Sequence, residues 1–234
     1  MEFTIQTLKK MVRNVPRLGP FLVHLREKRW KSSEGWDRRY RRGGNSGAGS
    51  YHRLAQFKAE FLNRFVFQQR VTSVIEFGSG DGSQLKLACY PEYVGVDVSS
   101  KAVELCTHAF SHETSKTFLH SSAYVPGTHA DLALSLDVIY HLVEDEVYEV
   151  YMWQLFGSAR HFVIVYSSNE DKNTSSIHIR HRRFTDWVER YQPGWYLKST
   201  LQNAFPYDAD DPEHTSFADF YVFARRSSPP ARLE

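Results

Sequence analysis

The stretch VIEFGSGDGSQ, residues 74–84, decides the fold of this 234-residue chain. Its apolar start ends in glycine, which is typical of a buried strand that runs into a tight loop. Gly78, Gly80 and Gly82 follow Glu76 closely, and glycine there lets the backbone approach a ligand that a side chain would exclude. In a doubly wound sheet, a ligand binds where the first strand meets its loop. The stretch therefore predicts a ligand site at the end of a first parallel strand.

Strand and helix patterns alternate around this loop. Apolar runs predict strands at 71–78, 93–99, 116–120, 131–138, 161–167, 195–201 and 217–225. Helical spacing of apolar residues predicts helices at 51–69, 101–110, 144–156 and 185–191, and a further helix is expected directly after the glycine loop. The alternation predicts an α/β fold, a doubly wound and mostly parallel seven-stranded sheet whose last strand enters antiparallel.

The chain divides at about residue 50. Residues 1–50 are predicted to form an N-terminal helical, basic extension that ends in the glycine-rich segment GGNSGAGS (43–50), and residues 51–232 the main domain. The glycine-rich segment is either a flexible linker or a flap that closes beside a ligand. The opening helix covers the domain or contacts a second copy of the chain in a homodimer; docking to a membrane surface or to another partner is the alternative.

Composition excludes several classes of protein. An apolar fraction of 41% and an aromatic fraction of 15% can form a packed core, which argues against a disordered chain. A net charge of +2 does not exclude a nucleic-acid partner, but nothing in the overall composition suggests one. The two cysteines form neither a disulfide framework nor a Cys-x-x-Cys zinc pair. No apolar run is long enough to cross a membrane, and the first thirty residues lack a secretory signal, so we expect a cytoplasmic protein.

The ligand of the glycine loop is expected to be a nucleoside. Asp97 ends the second predicted strand, where a carboxylate can accept both hydroxyls of a ribose. A dinucleotide site would need glycine at position 83, which is Ser83. Glu76 would repel a pyrophosphate but attract the cationic amino group of a methionine.

Glu76-Phe77-Gly78-Ser79-Gly80 resembles the first motif of class I S-adenosylmethionine-dependent methyltransferases. Asp97 matches the acid of that family's second strand, and SLDVIYHL (135–142) resembles the end of its fourth. Within the family, the glycine-rich segment and SLDVIYHLVEDE resemble bacterial enzymes that O-methylate sugars or polysaccharides, such as those acting on mycobacterial methylmannose polysaccharide. The resemblance implies S-adenosylmethionine as cofactor, held by residues of these loops: Glu76, Gly78, Ser79, Gly80, Asp97, Val98, Ser122 and Asp137. Many members have an acid where this chain has Ser121 and Ser122.

His141 is the expected general base. A hydroxyl is a poor nucleophile, and neutral imidazole can accept its proton near pH 7. Asp137 precedes His141 by four residues, so a helical turn would place both side chains on one face. Asp137 is expected to orient the imidazole or to contact the cofactor. The alternative is that His141 only packs against the next helix.

Two further groups are candidates for the acceptor side. His178, Arg180 and Arg182 would share one side of an extended segment and could bind a sugar, phosphate or carboxylate; a solvated basic loop is the alternative. Asp137, Glu144 and Asp145 are oxygen donors that could hold magnesium, or they are an ordinary acidic helix start.

These observations favour an enzyme that O-methylates a hydroxyl of a sugar or oligosaccharide in bacterial glycan biosynthesis. The alternatives are methylation of another small molecule at nitrogen or oxygen, an NAD- or nucleotide-sugar-binding oxidoreductase, and a non-catalytic interaction module with the same fold.

Overall fold

The computed structural model describes residues 31–172, 174 and 176–226. Within these residues, seven strands form one sheet: β1 Ser73–Phe77, β2 Glu92–Asp97, β3 Lys116–His120, β4 Ala130–Leu136, β5 Ala159–Ser167, β6 Trp195–Leu201 and β7 Asp219–Arg225. The helices are α1 Ser32–Arg41, α2 His52–Gln69, α3 Ser100–Ala109, α4 Asp145–Gly157 and α5 Phe184–Tyr191. All seven predicted strands are confirmed, and so are the four helices predicted by residue range, at 51–69, 101–110, 144–156 and 185–191. No described helix is both long and apolar enough to cross a membrane.

The strand order is β3-β2-β1-β4-β5-β7-β6. All neighbouring strands are parallel except for β7, which runs antiparallel to both β5 and β6. The order reverses direction at β1, which pairs with β2 on one side and β4 on the other. The predicted doubly wound sheet with an antiparallel last strand is confirmed, and its switch point lies between β1 and β4.

The two faces of the sheet are covered by different helices. Successive side chains of a strand point to opposite faces. Accordingly, Val74 packs with residues of α2 such as Leu62, whereas Ile75 packs with residues of α4 such as Met152. Both apolar clusters are buried, and they hold β1 between α2 on one face of the sheet and α4 on the other.

The prediction of a helix directly after the glycine loop is wrong. Between β1 and β2 the chain forms only a three-residue 3₁₀-helix, Leu85–Leu87. The segment is restricted at both ends, because the backbone is still in the left-handed glycine turn at Gly82 and Pro91 lies directly before β2. A proline lacks an N–H and disfavours helical geometry in the residue before it, so a helix that began after Gly82 would have to end before Tyr90.

The described part of the N-terminal extension lies over the carboxyl ends of the strands. The prediction of an opening helix falls on residues 1–30, outside the described residues, while α1 follows them directly. The backbone N–H and the hydroxyl of Ser32 both donate to the carboxylate of Glu144, at 2.8 and 2.6 Å. This contact ties the start of α1 to the residue that precedes α4.

Candidate functional site

A cavity of about 570 Å³ opens at the carboxyl ends of β1, β2 and β4. Its volume lies in the range of small-molecule sites, roughly 300–1,000 Å³. Residues that the sequence singled out, from the ends of separate strands, line this one space: Glu76, Gly78, Ser79, Gly80, Asp97, Val98, Ser122, Asp137 and His141. The topological switch point places the strand ends together, and the cavity lies where the glycine loop leaves β1.

The glycine loop has a backbone that other residues adopt with strain. Gly78, Gly80 and Gly82 have φ values of 88°, 58° and 76°, in the left-handed region. A side chain at Gly78 would overlap Val138, and one at Gly80 would overlap Ser46. The loop is therefore closely covered by two other segments, one following β4 and one from the N-terminal extension.

Asp97 is buried at the end of β2 and is held by backbone donors. Its Oδ2 accepts from the N–H of Gly80 at 2.9 Å, and its Oδ1 accepts from the N–H of Ser99 at 2.8 Å. Burial raises the pKa of Asp97, and the N–H groups of Ser99 and Gly80 counteract that rise. Each carboxylate oxygen has a second lone pair, so Asp97 can accept two more hydrogen bonds from a ligand.

Glu76 is the second buried acid of the cavity. Its Oε2 accepts from the hydroxyl of Tyr93 at 2.7 Å. Burial raises the pKa of Glu76 to about 7, although the Tyr93 hydrogen bond and the nearby Lys58 ammonium both lower it. Near neutral pH, a cation that binds beside this carboxyl group would therefore favour its ionised form.

Asp137 has the least common backbone geometry at the site, with a φ of 60°. Its Oδ2 contacts the Nζ of Lys58 at 2.5 Å, and its Oδ1 accepts from the hydroxyl of Tyr140 at 2.8 Å. Both oxygens thus bind groups other than His141. The expectation that Asp137 orients the imidazole of His141 is wrong, because the left-handed turn directs the carboxylate towards α2.

Lys58 is a residue of the site that the sequence analysis missed. Its side chain is 1% exposed, it lines the cavity, and its Nζ lies 5.2 Å from the ring centre of Tyr166. A signal was present: Lys58 stands in the buried stripe of α2, between Leu54 and Leu62. A charged residue inside an apolar helical stripe indicates a buried partner.

His141 lines the cavity and is held by the loop after β5. Its Nδ1 lies 2.9 Å from the carbonyl oxygen of His178, which can only accept, so Nδ1 carries the proton and Nε2 is the acceptor nitrogen. The Trp36 ring packs edge-on against the imidazole, with centroids 4.8 Å apart. Burial lowers the pKa of His141 to about 4, although the hydrogen bond to the His178 carbonyl and the charge of Asp137 both oppose that fall. The imidazole is neutral across the physiological range.

The end of β3 supplies a third wall. Ser121 and Ser122 both line the cavity, and the hydroxyl of Ser122 lies 2.7 Å from Nδ1 of His120. The Nε2 of His120 in turn lies 3.0 Å from the carbonyl oxygen of Val98. This bridge fixes the β3 loop beside the β2 loop, so that Ser122 and Val98, two residues expected to hold the cofactor, lie close together.

The two arginines of the basic segment bind the chain itself. Arg180 donates to the carbonyl of Val143 and pairs with Asp145, at 3.0 Å each. Arg182 donates to the carbonyls of Leu142 and Val143, and its guanidinium lies over the ring of Tyr148. Neither lines the cavity. Some of their donors bind residues 142–145, and their role in binding the acceptor stays a prediction. His178 contacts the site through His141.

The three carboxylates proposed for magnesium point in different directions. Asp137 pairs with Lys58, Glu144 accepts from Ser32, and Asp145 pairs with Arg180 and Arg182. The described residues contain no group of three or more histidine, cysteine or acidic side chains placed to hold a metal ion. The structure thus does not form the predicted magnesium site from these residues, since each carboxylate has its own partner.

The glycine-rich segment lies on the glycine loop. Ser46 donates from its backbone N–H to Oδ2 of Asp81 at 2.9 Å, and its hydroxyl accepts from the N–H of Asp81 at 3.0 Å. Tyr51 donates to the same Oδ2 at 2.7 Å. Gly49 lies against Asp137 so closely that a β-carbon would overlap its carboxylate. Of the two sequence interpretations, the position beside the site fits a flap.

A family model described as a methyltransferase domain matches residues 50–209. No curated protein matches the chain.

Several solved structures share the fold. The N-methyltransferase NodS from Bradyrhizobium japonicum WM9, in complex with S-adenosyl-L-homocysteine, is 13% identical with a TM-score of 0.62, covering 84% of this chain and 99% of that one. Magnesium protoporphyrin IX methyltransferase from Synechocystis PCC 6803, with bound S-adenosylmethionine, is 15% identical with a TM-score of 0.55, covering 96% and 99%. The methyltransferase domain of a bacterial Hen1 is 20% identical with a TM-score of 0.56, covering 73% and 97%.

Proposed function

This chain belongs to the methyltransferase domain family, and on that premise we propose that it transfers a methyl group from S-adenosylmethionine to a hydroxyl of a sugar or oligosaccharide. The observation that carries the cofactor assignment is the single cavity that joins the glycine loop, Asp97 and the end of β4. The sugar acceptor is supported by the sequence resemblance and by the neutral imidazole of His141. The family membership excludes the oxidoreductase alternative.

The residues of the cavity fit this cofactor. Ser79 Oγ and Gln84 Oε1 are buried atoms of cavity-lining residues that have no hydrogen-bond partner within the described part of the chain. Buried polar atoms of this kind are costly unless a ligand or water satisfies them. The backbone of the glycine loop lines the same cavity at Gly78 and Gly80. Polar groups and close backbone are thus both available to a nucleoside.

Each wall of the cavity has a proposed role. Asp97 accepts the ribose hydroxyls, Val98 and Ser122 contact the adenine, and Glu76 attracts the ammonium group of the methionine end. When bound, S-adenosylmethionine supplies a methyl group activated by its sulfonium sulfur. The protein then has to align the acceptor, exclude water and remove one proton.

His141 is the proposed general base, with Nε2 as the atom that takes the proton. The His178 carbonyl fixes the tautomer, and Trp36 holds the ring. A base with a pKa of about 4 is weak, so alignment contributes the larger part of the acceleration. The same observation favours a second candidate, methylation of another small molecule at nitrogen, since a neutral amine needs alignment but no strong base.

The experiment has two stages. Calorimetry with S-adenosylmethionine and, separately, NAD should show binding of the first alone, with a Kd on the order of 1–100 μM. Acceptors are then screened with a radiolabelled methyl donor, with and without Mg²⁺, using sugars, amines and a short RNA. Label in the sugars supports the proposal, label in the amines alone supports the second candidate, and label in the RNA alone contradicts both.

A further inference from the structure

We propose that Lys58 determines the specificity for the amino-acid end of the cofactor, by donating hydrogen bonds to its carboxylate. The inference rests on the proposed function, because it assigns a residue to the binding of S-adenosylmethionine. It goes beyond the glycine loop and Asp97, since Lys58 comes from α2, before the first strand.

The geometry of Lys58 calls for a ligand. Its side chain is 1% exposed, and burying an ammonium group is costly unless hydrogen bonds replace those of water. An ammonium group has three donors. Asp137 is the one hydrogen-bond partner that Lys58 has within the described part of the chain. Because Lys58 also lines the cavity, its remaining donors can reach an acceptor there.

The charges of the cavity complement those of the cofactor. The methionine end of S-adenosylmethionine carries an ammonium, a carboxylate and a sulfonium group, two positive charges and one negative. Lys58, Asp137 and Glu76 supply the opposite set when all three are ionised, one positive charge and two negative.

A merely structural ion pair between α2 and the end of β4 makes a different prediction. Loss of such a pair would weaken every ligand of the cavity by the same factor. A carboxylate contact weakens only ligands that have the carboxylate. The decisive quantity is therefore the ratio of two affinities, which a general loss of stability leaves unchanged.

The ligand pair is S-adenosylmethionine and its decarboxylated form, which lacks only the carboxylate. We expect the unaltered protein to prefer S-adenosylmethionine by roughly 10- to 100-fold in Kd, the range of a charge-assisted hydrogen bond. Lys58→Met should reduce the preference to roughly threefold or less, and Lys58→Arg should retain part of it. Lys116→Met is the matched control, because Lys116 also pairs with an acid, Glu113, and lies beside a ring, Phe110, but outside the cavity.

Two results would overturn the inference: equal binding of both ligands by the unaltered protein, or a full preference retained in Lys58→Met. The first needs no variant. If Lys58→Met does not fold, Lys58→Met combined with Asp137→Asn removes the pair as a unit, and the same loss of preference is expected. Failure of the unaltered protein to bind either ligand would instead contradict the proposed function.

Discussion

Asp81→Asn should release the glycine-rich segment from the glycine loop. Oδ2 of Asp81 accepts from the backbone N–H of Ser46 and the hydroxyl of Tyr51, and Oδ1 accepts from the N–H of Ser83. An asparagine has one oxygen and one NH₂ group, so the NH₂ group, which is itself a donor, must face one of these N–H or O–H donors. The change preserves size and shape but removes the charge and replaces one acceptor oxygen with a donor.

The magnitude follows from the number of bonds lost. A hydrogen bond to a charged acceptor contributes about 1.5–3 kcal/mol, and partial exposure reduces that value. Loss of one or two such bonds should destabilise the closed segment by about 1–3 kcal/mol, which is a change of roughly 5- to 150-fold in its opening equilibrium. Burial by itself raises the pKa of Asp81, but hydrogen bonds from Tyr51, Ser83 and Ser46 lower the pKa by more, so that it lies below its usual value. The carboxylate therefore stays ionised from neutral pH down to below pH 4, and its contribution is lost only as the pH falls through that lowered pKa.

Hydrogen exchange at the amide of Ser46 measures the opening. We expect exchange to accelerate in Asp81→Asn by that factor, with the affinity for S-adenosylmethionine falling by the same factor or less. Asp131→Asn is the matched control, since Oδ2 of Asp131 likewise accepts two donors, both from Thr72, at the opposite end of the sheet. An unchanged rate at Ser46 in Asp81→Asn, or an equal acceleration in Asp131→Asn, would refute the reasoning.

Three more predictions concern the cavity itself. Asp97→Ala should weaken the binding of S-adenosylmethionine by about 1.5–3 kcal/mol, measured by calorimetry, because two ribose contacts disappear; unchanged affinity would remove Asp97 from the site. His141→Ala should lower kcat by about 10²-fold with unchanged cofactor affinity, and the rate of the unaltered enzyme should fall with acid only around pH 4, where a pKa of about 4 places protonation. An acid limb near pH 6–7, typical of an exposed histidine, would contradict the burial of His141. Gly49→Ala should displace the Asp137 carboxylate and destabilise the fold by about 1–3 kcal/mol, visible as a lower Tm; an unchanged Tm would show that the segment does not press on Asp137.

The fold could be predicted because its signals are local. Each strand is an apolar run of the right length, and the glycine loop and Asp97 stand at strand ends, which topology brings together. The loop after β1 could not be predicted in the same way. Whether a helix forms there depends on where the glycine turn ends and on the proline before β2, and the chain forms only a 3₁₀-helix at Leu85–Leu87. The local sequence is sufficient for a prediction where the spacing of apolar residues determines the secondary structure.

The partners of charged side chains could not be predicted from spacing. Asp137 and His141 are four residues apart, yet the left-handed backbone of Asp137 turns its carboxylate to Lys58, 79 residues earlier in the chain. Arg180 and Arg182 likewise contact residues 142–145, about 40 positions earlier in the chain. Long-range ion pairs are decided by tertiary packing, which a single sequence does not display.

The outer edge of the sheet has a consequence for association between molecules. Among the described residues, strand β6 is paired only with β7, and its residues after Trp195 are exposed, Tyr196, Leu197 and Leu201 among them. An exposed apolar edge strand is a template on which other chains can add strands and aggregate. Here the register with β7 shifts between Leu197 and Ser199, so Lys198 is the extra residue. A bulge that carries a lysine interrupts the flat edge with a charge, and this protects the protein from growing into a continuous intermolecular sheet.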